Sequence, residues 1–349
     1  MGGQLIFKPD LSKALRSLLG EQDLVIADVG AAYGLPAHLR VLDTVAKICF
    51  FEPHPERAKE LEEQYVRRNP GSRVRVCPVA LSAQGGQRTL YVTNVPTGSS
   101  LLKPGSEAGL DWVDPDYFFP VREERLQTQR LEDVLVTEGL SRLDFIKIDV
   151  QGGELEVLQG MGSQFLSKIL GLELEIGFPG GYVNQPSFSE LNKYLESHGL
   201  ILFDLKPVRG HRYLPGVRHG YAEDVFGVVP DAPSLSKRLW ETDAVYFRSA
   251  KGLLENRDAA SIRRLILLYG AYGFFTEAHH LISKAENIQL FPRGEAELLK
   301  SGIIFWHRRG HYCFTDSVVW KRVTGKMYSL ARRVGRRLCG QRLGRWLDQ

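Results

Sequence analysis

Cysteine is scarce in this chain, and its positions exclude several kinds of site. The 349 residues include four cysteines, Cys49, Cys77, Cys313 and Cys339. No two of them have the spacing of a zinc-binding pair, and they form no disulfide framework. His198, His211 and His219 also lack the spacing of metal ligands. The sequence therefore predicts no metal site and is compatible with a reducing cytoplasm.

The sequence also lacks long hydrophobic runs and an export signal. No window approaches the roughly 18 uninterrupted apolar residues that a membrane-spanning helix needs. The N-terminal residues 1–6 contain no charged segment that leads into an apolar stretch. With 43% hydrophobic and 25% charged residues, the composition is typical of a soluble protein. We expect a cytoplasmic protein without a transmembrane segment.

Positive charge is concentrated at one end of the chain. The net charge is +4, but residues 321–349 contain nine Lys or Arg and one acid, Asp348, so the first 320 residues carry a net charge of −4. A mildly acidic body is not typical of a dedicated nucleic-acid-binding domain. Apolar residues of the tail recur every three or four positions with arginines between them, which predicts a basic amphipathic helix over 321–349.

Three roles remain open for this tail. It could pack on the body with its arginines in solvent, lie on an anionic membrane, or contact RNA or an acidic partner. Deletion of residues 321–349 distinguishes them, because unchanged binding to liposomes and to RNA leaves only the packing role.

From residue 24 onwards, short β-rich runs alternate with longer helical patterns. This alternation predicts an α/β fold with a doubly wound, mostly parallel, Rossmann-like sheet in a domain of residues 1–250. The expected strands are 24–29, 48–51, 74–80, 143–149, 170–176, 201–205 and 244–248, and the expected helices are 36–45, 55–68, 154–160 and 188–197. The last two strands could pair as an antiparallel edge.

The chain beyond residue 250 is mainly helical in pattern. Residues 258–270 and 273–286 have helical periodicity, and 302–306 is the one further candidate strand. We expect a small helical appendage over 251–320, followed by the basic helix. Two long loops, 97–120 and 206–222, are expected to cover a ligand pocket, because loops of this length in compact domains are usually functional or disordered.

The strongest local motif is the segment from Asp28 to Gly34, Asp-Val-Gly-Ala-Ala-Tyr-Gly. It is a strand that ends in an acid and a turn of small residues, which let a ligand approach the backbone. Glu52, at the tip of the next strand, can accept hydrogen bonds from ribose hydroxyls. The dinucleotide fingerprint G-x-G-x-x-G is absent, and an acid at Asp28 would repel a pyrophosphate. An adenosine cofactor that carries positive charge, such as S-adenosylmethionine, fits better.

A second motif runs from Asp144 to Glu154, Asp-Phe-Ile-Lys-Ile-Asp-Val-Gln-Gly-Gly-Glu. It predicts a buried strand ending in Asp149, followed by a glycine pair and a helix that carries Glu154. Lys147 shares a face with Asp149 and could pair with it. Glu154 could face a ligand or only stabilise the start of its helix.

These motifs resemble those of the FkbM-like family of class I methyltransferases. Six motifs occur in the family's order over roughly residues 20–250: Asp28 to Gly34, Phe51-Glu52-Pro53, Ala80-Leu81-Ser82, Gly98-Ser99-Ser100-Leu101, Leu131-Glu132-Asp133 and Lys147 to Glu154. The resemblance implies a class I methyltransferase fold, S-adenosylmethionine as the methyl donor and, in many members, O-methylation of a hydroxyl on a sugar or a secondary metabolite.

The resemblance also assigns site residues. Asp28, Gly30 and Gly34 would shape the methionine side of the cofactor pocket, Glu52 would hold the ribose, and Ala80 would border the adenine. Ala31 and Ser99, which lie within two of the motifs, are assigned to the same pocket. Asp149 would face the transferring methyl group.

The catalytic residues predicted for a hydroxyl acceptor are Asp149, as base or orienting group, and Glu175. Glu173 shares a strand face with Glu175 and is a further candidate. Unpaired carboxylates buried there would be costly, so both glutamates could instead pair with a Lys or Arg. Gln151 stands where many family members have Glu, and it cannot act as a base.

Two other functions remain open. A nicotinamide-dependent oxidoreductase is disfavoured by the missing central glycine and by Asp28. A non-catalytic scaffold or binding module on the same fold is also conceivable, because folds are reused in this way. The convergence of Asp28 and Glu52 with the acidic strand ends disfavours it.

Overall fold

A computed structural model describes residues 15–16, 19–20, 23–67, 73–94, 96–105, 119–178, 181–209 and 239–307. The predicted basic helix at 321–349 lies outside the described residues, as do His211, His219 and most of the two predicted pocket loops. Within the described ranges, no helix is long and apolar enough to cross a membrane.

In the described part of the chain, ten strands form two sheets. Their bounds are β1 Leu24–Val29, β2 Ala46–Phe51, β3 Val74–Cys77, β4 Ala80–Leu81, β5 Gly86–Thr93, β6 Pro120–Gln129, β7 Phe145–Ile148, β8 Gly171–Gly177, β9 Leu200–Arg209 and β10 Leu239–Arg248. The main sheet has the order β3-β2-β1-β7-β8-β10-β9. Its strands are parallel except for β10, which runs antiparallel to both of its neighbours. The predicted doubly wound fold and its antiparallel edge are therefore confirmed.

The second sheet is small, has the order β4-β6-β5, and forms one wall above the main sheet. None of the expected strands lies between residues 81 and 142, so strand β6 was missed. Most β6 side chains are exposed, so the strand has no hydrophobic period to reveal it. Arg88 on β5 pairs with Glu156 through two hydrogen bonds of 2.8 and 3.2 Å, which ties this sheet to a helix of the main layer.

The helices cover both faces of the main sheet. Their bounds are α1 Ala37–Arg40, α2 Pro55–Leu61, α3 Leu131–Thr137, α4 Glu154–Gly160, α5 Gly162–Leu166, α6 Phe188–Ser197, α7 Ala250–Glu255, α8 Ala259–Ala271, α9 Phe275–Asn287 and α10, residues 293–307. A π-helical turn, Glu62–Arg67, extends α2. Helix α6 begins at a capping box in which Ser187 and Glu190 bond each other's backbone N–H groups.

The prediction of a strand at 302–306 was wrong, because these residues lie within helix α10. The buried residues Leu299, Ile303 and Trp306 follow one another at intervals of four and three, which is the spacing of one helix face. Gly270 on α8 permits a close crossing, since a Cβ atom there would lie 2.5 Å from the Trp306 ring.

Helices α8, α9 and α10 share one hydrophobic core with the sheet. This core includes Phe145 and Phe247 from the sheet, together with Leu265 and Ile266 from α8. Helix α1, by contrast, has only four residues. Arg264, itself buried, forms an ion pair of 3.0 Å with the buried Asp144 just before β7. The helices after residue 250 thus form one layer of the fold, while a domain boundary at 250 stays a prediction.

Shortening a core side chain of α8 should destabilise the entire sheet. Leu265 is fully buried, and Leu265→Ala should lower the free energy of unfolding by about 2–5 kcal/mol through lost packing and a cavity. Leu298 is 57% exposed and provides the control, because Leu298→Ala should change the free energy of unfolding by less than about 0.5 kcal/mol. Urea denaturation followed by circular dichroism gives both values. A separate transition for the helices, with the sheet unaffected, would contradict the shared core.

Candidate functional site

A cleft of about 1180 Å³ opens at the carboxyl ends of strands β1, β2, β7 and β8. This is the edge at which open α/β sheets bind ligands. Six of the residues predicted for the site line it: Gly30, Glu52, Ala80, Ser99, Asp149 and Glu175. Asp28 and Ala31 are buried behind the cleft, and Gly34 packs against Tyr65. The binding and catalytic roles assigned to all nine residues stay predictions.

The turn after β1 brings two strand ends into backbone contact. Gly30 has a φ of +78°, and its N–H donates to the Phe51 carbonyl at the end of β2, at 3.0 Å. A Cβ atom at this position would lie 1.9 Å from the carbonyl oxygen of Asp149. Only glycine fits, because both the positive φ and the contact exclude a side chain.

Asp28 is an ionisable group buried without a hydrogen-bond partner among the described residues. The carboxyl is 1% exposed, and neither of its oxygens has a hydrogen-bond partner. Burial raises its pKa to about 7, although the neighbouring Lys147 ammonium acts in the opposite direction. A group in this state fits a cationic ligand near the strand end and does not fit a pyrophosphate.

Glu52 holds a carboxylate at the end of β2, on the wall of the cleft. One of its oxygens accepts a hydrogen bond of 2.8 Å from the backbone N–H of His54. Burial raises the pKa of this group, and the His54 contacts act against that shift. The position and the acceptor oxygens suit a pair of ribose hydroxyls.

A hydrogen-bonded group of side chains occupies the far end of the cleft. Asp149 pairs with Lys147 at 3.0 Å, as the sequence predicted, and accepts a hydrogen bond of 3.0 Å from the Gln151 amide. The same amide nitrogen donates to Glu175, and the Tyr182 hydroxyl lies 3.0 Å from the amide oxygen of Gln151. The two predicted catalytic carboxyls are thus brought together by a residue between them.

The two carboxyls differ in protonation. Burial would raise the pKa of Asp149, but the Lys147 ammonium and hydrogen bonds from its neighbours lower it below its usual range. Burial and the charge of Asp149 raise the pKa of Glu175 to about 10. At neutral pH, Asp149 is therefore ionised and Glu175 carries a proton.

Glu173 and Glu154 do not line the cleft. Glu173 pairs with His38 at 3.2 Å and with Lys206 at 3.1 Å, and although its burial acts in the opposite direction, these partners lower its pKa to about 2. Glu154 accepts hydrogen bonds from the backbone N–H groups of Val150 and Gly152, so its carboxyl caps the turn before α4. Both side chains are buried and support the cleft from behind.

Sequence reasoning missed several residues that shape the cleft. Gln151 was noted only as a departure from the family pattern, and Tyr182 lies in a segment without periodicity. The apolar side of the second sheet was also missed, and it contributes Leu90, Val92 and Val121. Among the described residues, no group of three or more His, Cys, Asp or Glu side chains is arranged to hold a metal ion.

The proton on Glu175 should make stability depend on pH. The folded-state pKa is raised, so the contribution of Glu175 to stability is complete below about pH 4.5 and is lost as pH rises towards 10. Glu175→Gln keeps the shape and removes this titration. The free energy of unfolding of the variant relative to wild type should therefore increase from about pH 5 to pH 9, by up to about 1.4 kcal/mol per pH unit.

Urea denaturation at several pH values tests this dependence. Glu196 is exposed on α6, and Glu196→Gln serves as the matched control with a nearly constant difference from wild type. A difference between Glu175→Gln and wild type that stayed constant with pH would show that Glu175 is ionised in the folded protein.

Three curated proteins of known name are similar to this chain. A methyltransferase of Sordaria araneosa, sdnD, is 30% identical over 45% of this chain and 67% of its own length. The 2-O-methyltransferase NoeI of Sinorhizobium fredii is 32% identical over 44% of this chain and 63% of its own length. The AMB antimetabolite synthetase AmbE of Pseudomonas aeruginosa is 28% identical over 58% of this chain and 11% of its own length. The matched part is therefore less than two thirds of NoeI and a small part of AmbE.

Solved methyltransferase structures show a weaker likeness. Magnesium protoporphyrin IX methyltransferase from Synechocystis, solved with bound S-adenosylmethionine, is 12% identical, with a TM-score of 0.33 over 71% of this chain and 87% of that chain. A methyltransferase from Agrobacterium tumefaciens is 11% identical, with a TM-score of 0.32 over 68% of this chain and 60% of that chain.

The family model of the methyltransferase FkbM domain matches residues 28–202, which is half of the chain. The matched stretch begins at Asp28 and includes Glu52, Asp149 and Glu175. The chain belongs to the FkbM methyltransferase family, and S-adenosylmethionine is its methyl donor.

Proposed function

We propose that this methyltransferase methylates a hydroxyl of an uncharged polar acceptor, a sugar or glycan or a hydroxylated secondary metabolite. The observation that supports it is the ionised Asp149 carboxylate on the cleft wall, beside a second carboxyl that carries a proton. An ionised carboxylate at this position can receive the proton of an acceptor hydroxyl. The printed name of the relative NoeI, a 2-O-methyltransferase, is consistent with transfer to oxygen.

The residues at the β1 and β2 ends would hold the donor. Glu52 would accept hydrogen bonds from the ribose hydroxyls, and the Gly30 turn would let the ligand approach the backbone. Asp28, buried behind the cleft wall, would attract the positive charge of the methionine part without contacting it. Ala80 and Ser99 would line the remaining wall. When bound, S-adenosylmethionine supplies a methyl group on a sulfonium, a leaving group good enough that alignment and exclusion of water provide most of the rate.

The charge of the far end of the cleft favours an uncharged acceptor. Among the described lining residues, this end contains the carboxyls of Asp149, Glu175 and Glu241 with the amides of Gln151 and Gln185. Phosphate or carboxylate groups on an acceptor would be repelled there. Hydroxyls can instead donate to the carboxyls and accept from the amides.

Donor binding is tested by calorimetric titration with S-adenosylhomocysteine, with NADH as a comparison that should not bind. Glu52→Ala removes the carboxylate to which the ribose hydroxyls would donate, so it should weaken binding of S-adenosylhomocysteine about 10- to 100-fold. Glu62 is exposed outside the cleft, so Glu62→Ala should bind as wild type does. Equal affinities for wild type and Glu52→Ala would remove Glu52 from the ribose site.

The role of Asp149 is tested by transfer of labelled methyl groups to a panel of sugars and hydroxylated metabolites. With an acceptor found, Asp149→Asn should lower kcat about 10²- to 10⁴-fold while affinity for S-adenosylhomocysteine changes little. Full turnover by Asp149→Asn would exclude it as the base. Transfer only to amines or to anionic compounds would contradict the proposed acceptor class.

A further inference from the structure

The turn that follows β7 is held in an unusual conformation. Gln151 has a φ of +59°, which is uncommon for a residue with a side chain, and the following Gly152 has a φ of +95°. The Ser100 hydroxyl donates to the Gln151 carbonyl at 2.7 Å. The Tyr182 hydroxyl lies 2.8 Å from the Gly98 carbonyl and 3.0 Å from Gln151 Oε1. Segments distant in sequence therefore stabilise this turn from two sides.

The orientation of the Gln151 amide follows from its partners. Its oxygen faces the Tyr182 hydroxyl, which can donate, and its nitrogen faces two carboxyls, which can accept. The reversed amide would place an oxygen against the Asp149 carboxylate. An amide nitrogen has two N–H groups, and here one is available for each carboxyl.

We propose that Gln151 is a positioning residue for methyl transfer, because its amide donates to Asp149 and Glu175 at once and holds the two carboxyls beside each other in the cleft. The inference rests on the proposed function, in which the ionised Asp149 receives the acceptor proton. Gln151 contacts no reacting atom in this scheme and acts through the two carboxyls.

Other groups around the pair determine which of the two carboxyls is ionised. The surrounding titratable groups come from β1, β7, β8, β10, α4 and the segment after β8, and they are Asp28, Lys147, Glu173, Glu241, Asp243, Glu154 and Tyr182. Lys147 is the cation in contact with Asp149, at 3.0 Å, so it favours the charge on Asp149. The surrounding carboxyls, by contrast, favour a proton on Glu175.

Glutamate at position 151 could not perform the same task. An ionised carboxylate donates no hydrogen bond, and a protonated one donates a single hydrogen bond. The cleft would then hold three adjacent carboxyls, whose protons would be shared among the three groups. Methionine at 151 has a similar length and no donor, so it removes the bridge without adding charge. Both variants keep a Cβ atom, so the cost of the positive φ is unchanged.

The test measures protons exchanged on ligand binding and needs no acceptor. Two ligands are compared by calorimetry in buffers of different ionisation enthalpy: S-adenosylhomocysteine, and sinefungin, an analogue with an amine-bearing carbon in place of the methylsulfonium. The difference in the number of protons exchanged with the two ligands measures how the carboxyls respond to the charged amine of sinefungin. Between pH 6 and 8, we expect the protons that wild type exchanges to come from Asp28 and Glu154, each with a pKa of about 7, because Asp149 and Glu175 keep fixed protonation states. This exchange in wild type is the baseline for each variant.

On going from S-adenosylhomocysteine to sinefungin, Gln151→Glu should release at least about 0.5 protons more than wild type does over this range, since the added cation expels a proton shared among three carboxyls. Gln151→Met should also release extra protons on binding sinefungin, but at lower pH than Gln151→Glu does. The reason is that loss of the amide donor raises the pKa of Asp149. A purely structural role for Gln151 would weaken both ligands equally, with no extra proton release, and would overturn the inference.

The outcomes separate this inference from the proposed function. If wild type binds neither ligand, the donor site itself is wrong. If wild type binds both and the two variants match its proton exchange, only the role of Gln151 fails. Circular dichroism and S-adenosylhomocysteine affinity at pH 6 establish that each variant is folded before the comparison is made.

Discussion

The site depends on one contact, in which the turn after β1 lies directly against the backbone of Asp149 at the end of β7. A side chain at Gly30 would occupy the space of the Asp149 carbonyl oxygen. The same turn is bonded to the end of β2 through Phe51. Because three strand ends are joined at this point, the groups that would hold the donor and those that would receive the acceptor share one cleft.

The main sheet could be predicted closely from the sequence, since its strands are buried and leave continuous apolar runs. Strand β1 and helix α6 begin and end where the pattern predicted. Strand β6 could not be predicted, because it is held by backbone pairing and most of its side chains are in solvent. The segment 302–306 was misjudged because β-branched and aromatic residues there face a helical core.

The sequence could predict the candidate site residues of each strand, but not the contacts between residues of different strands. Asp149 and Glu175 stand out as acids in or just after buried strands, and Lys147 was paired correctly with Asp149. The bridge between the carboxyls was not predictable, because it depends on contacts between segments far apart in the chain. The Tyr182 hydroxyl donates to the carbonyl of Gly98, 84 positions earlier. The Gln151 amide contacts Glu175 in a turn where Gln151 has a left-handed backbone conformation.

The core shared by the sheet and helices α8 to α10 has a consequence for synthesis of the protein. Each described residue that lines the cleft precedes β10 or belongs to it, yet one face of the sheet is covered by side chains as distant as Trp306. A nascent chain that has emerged only as far as β10 presents that apolar face uncovered. Coverage of this face of the sheet thus waits until about 60 further residues have been synthesised, and during this interval the exposed apolar surface favours aggregation and chaperone binding.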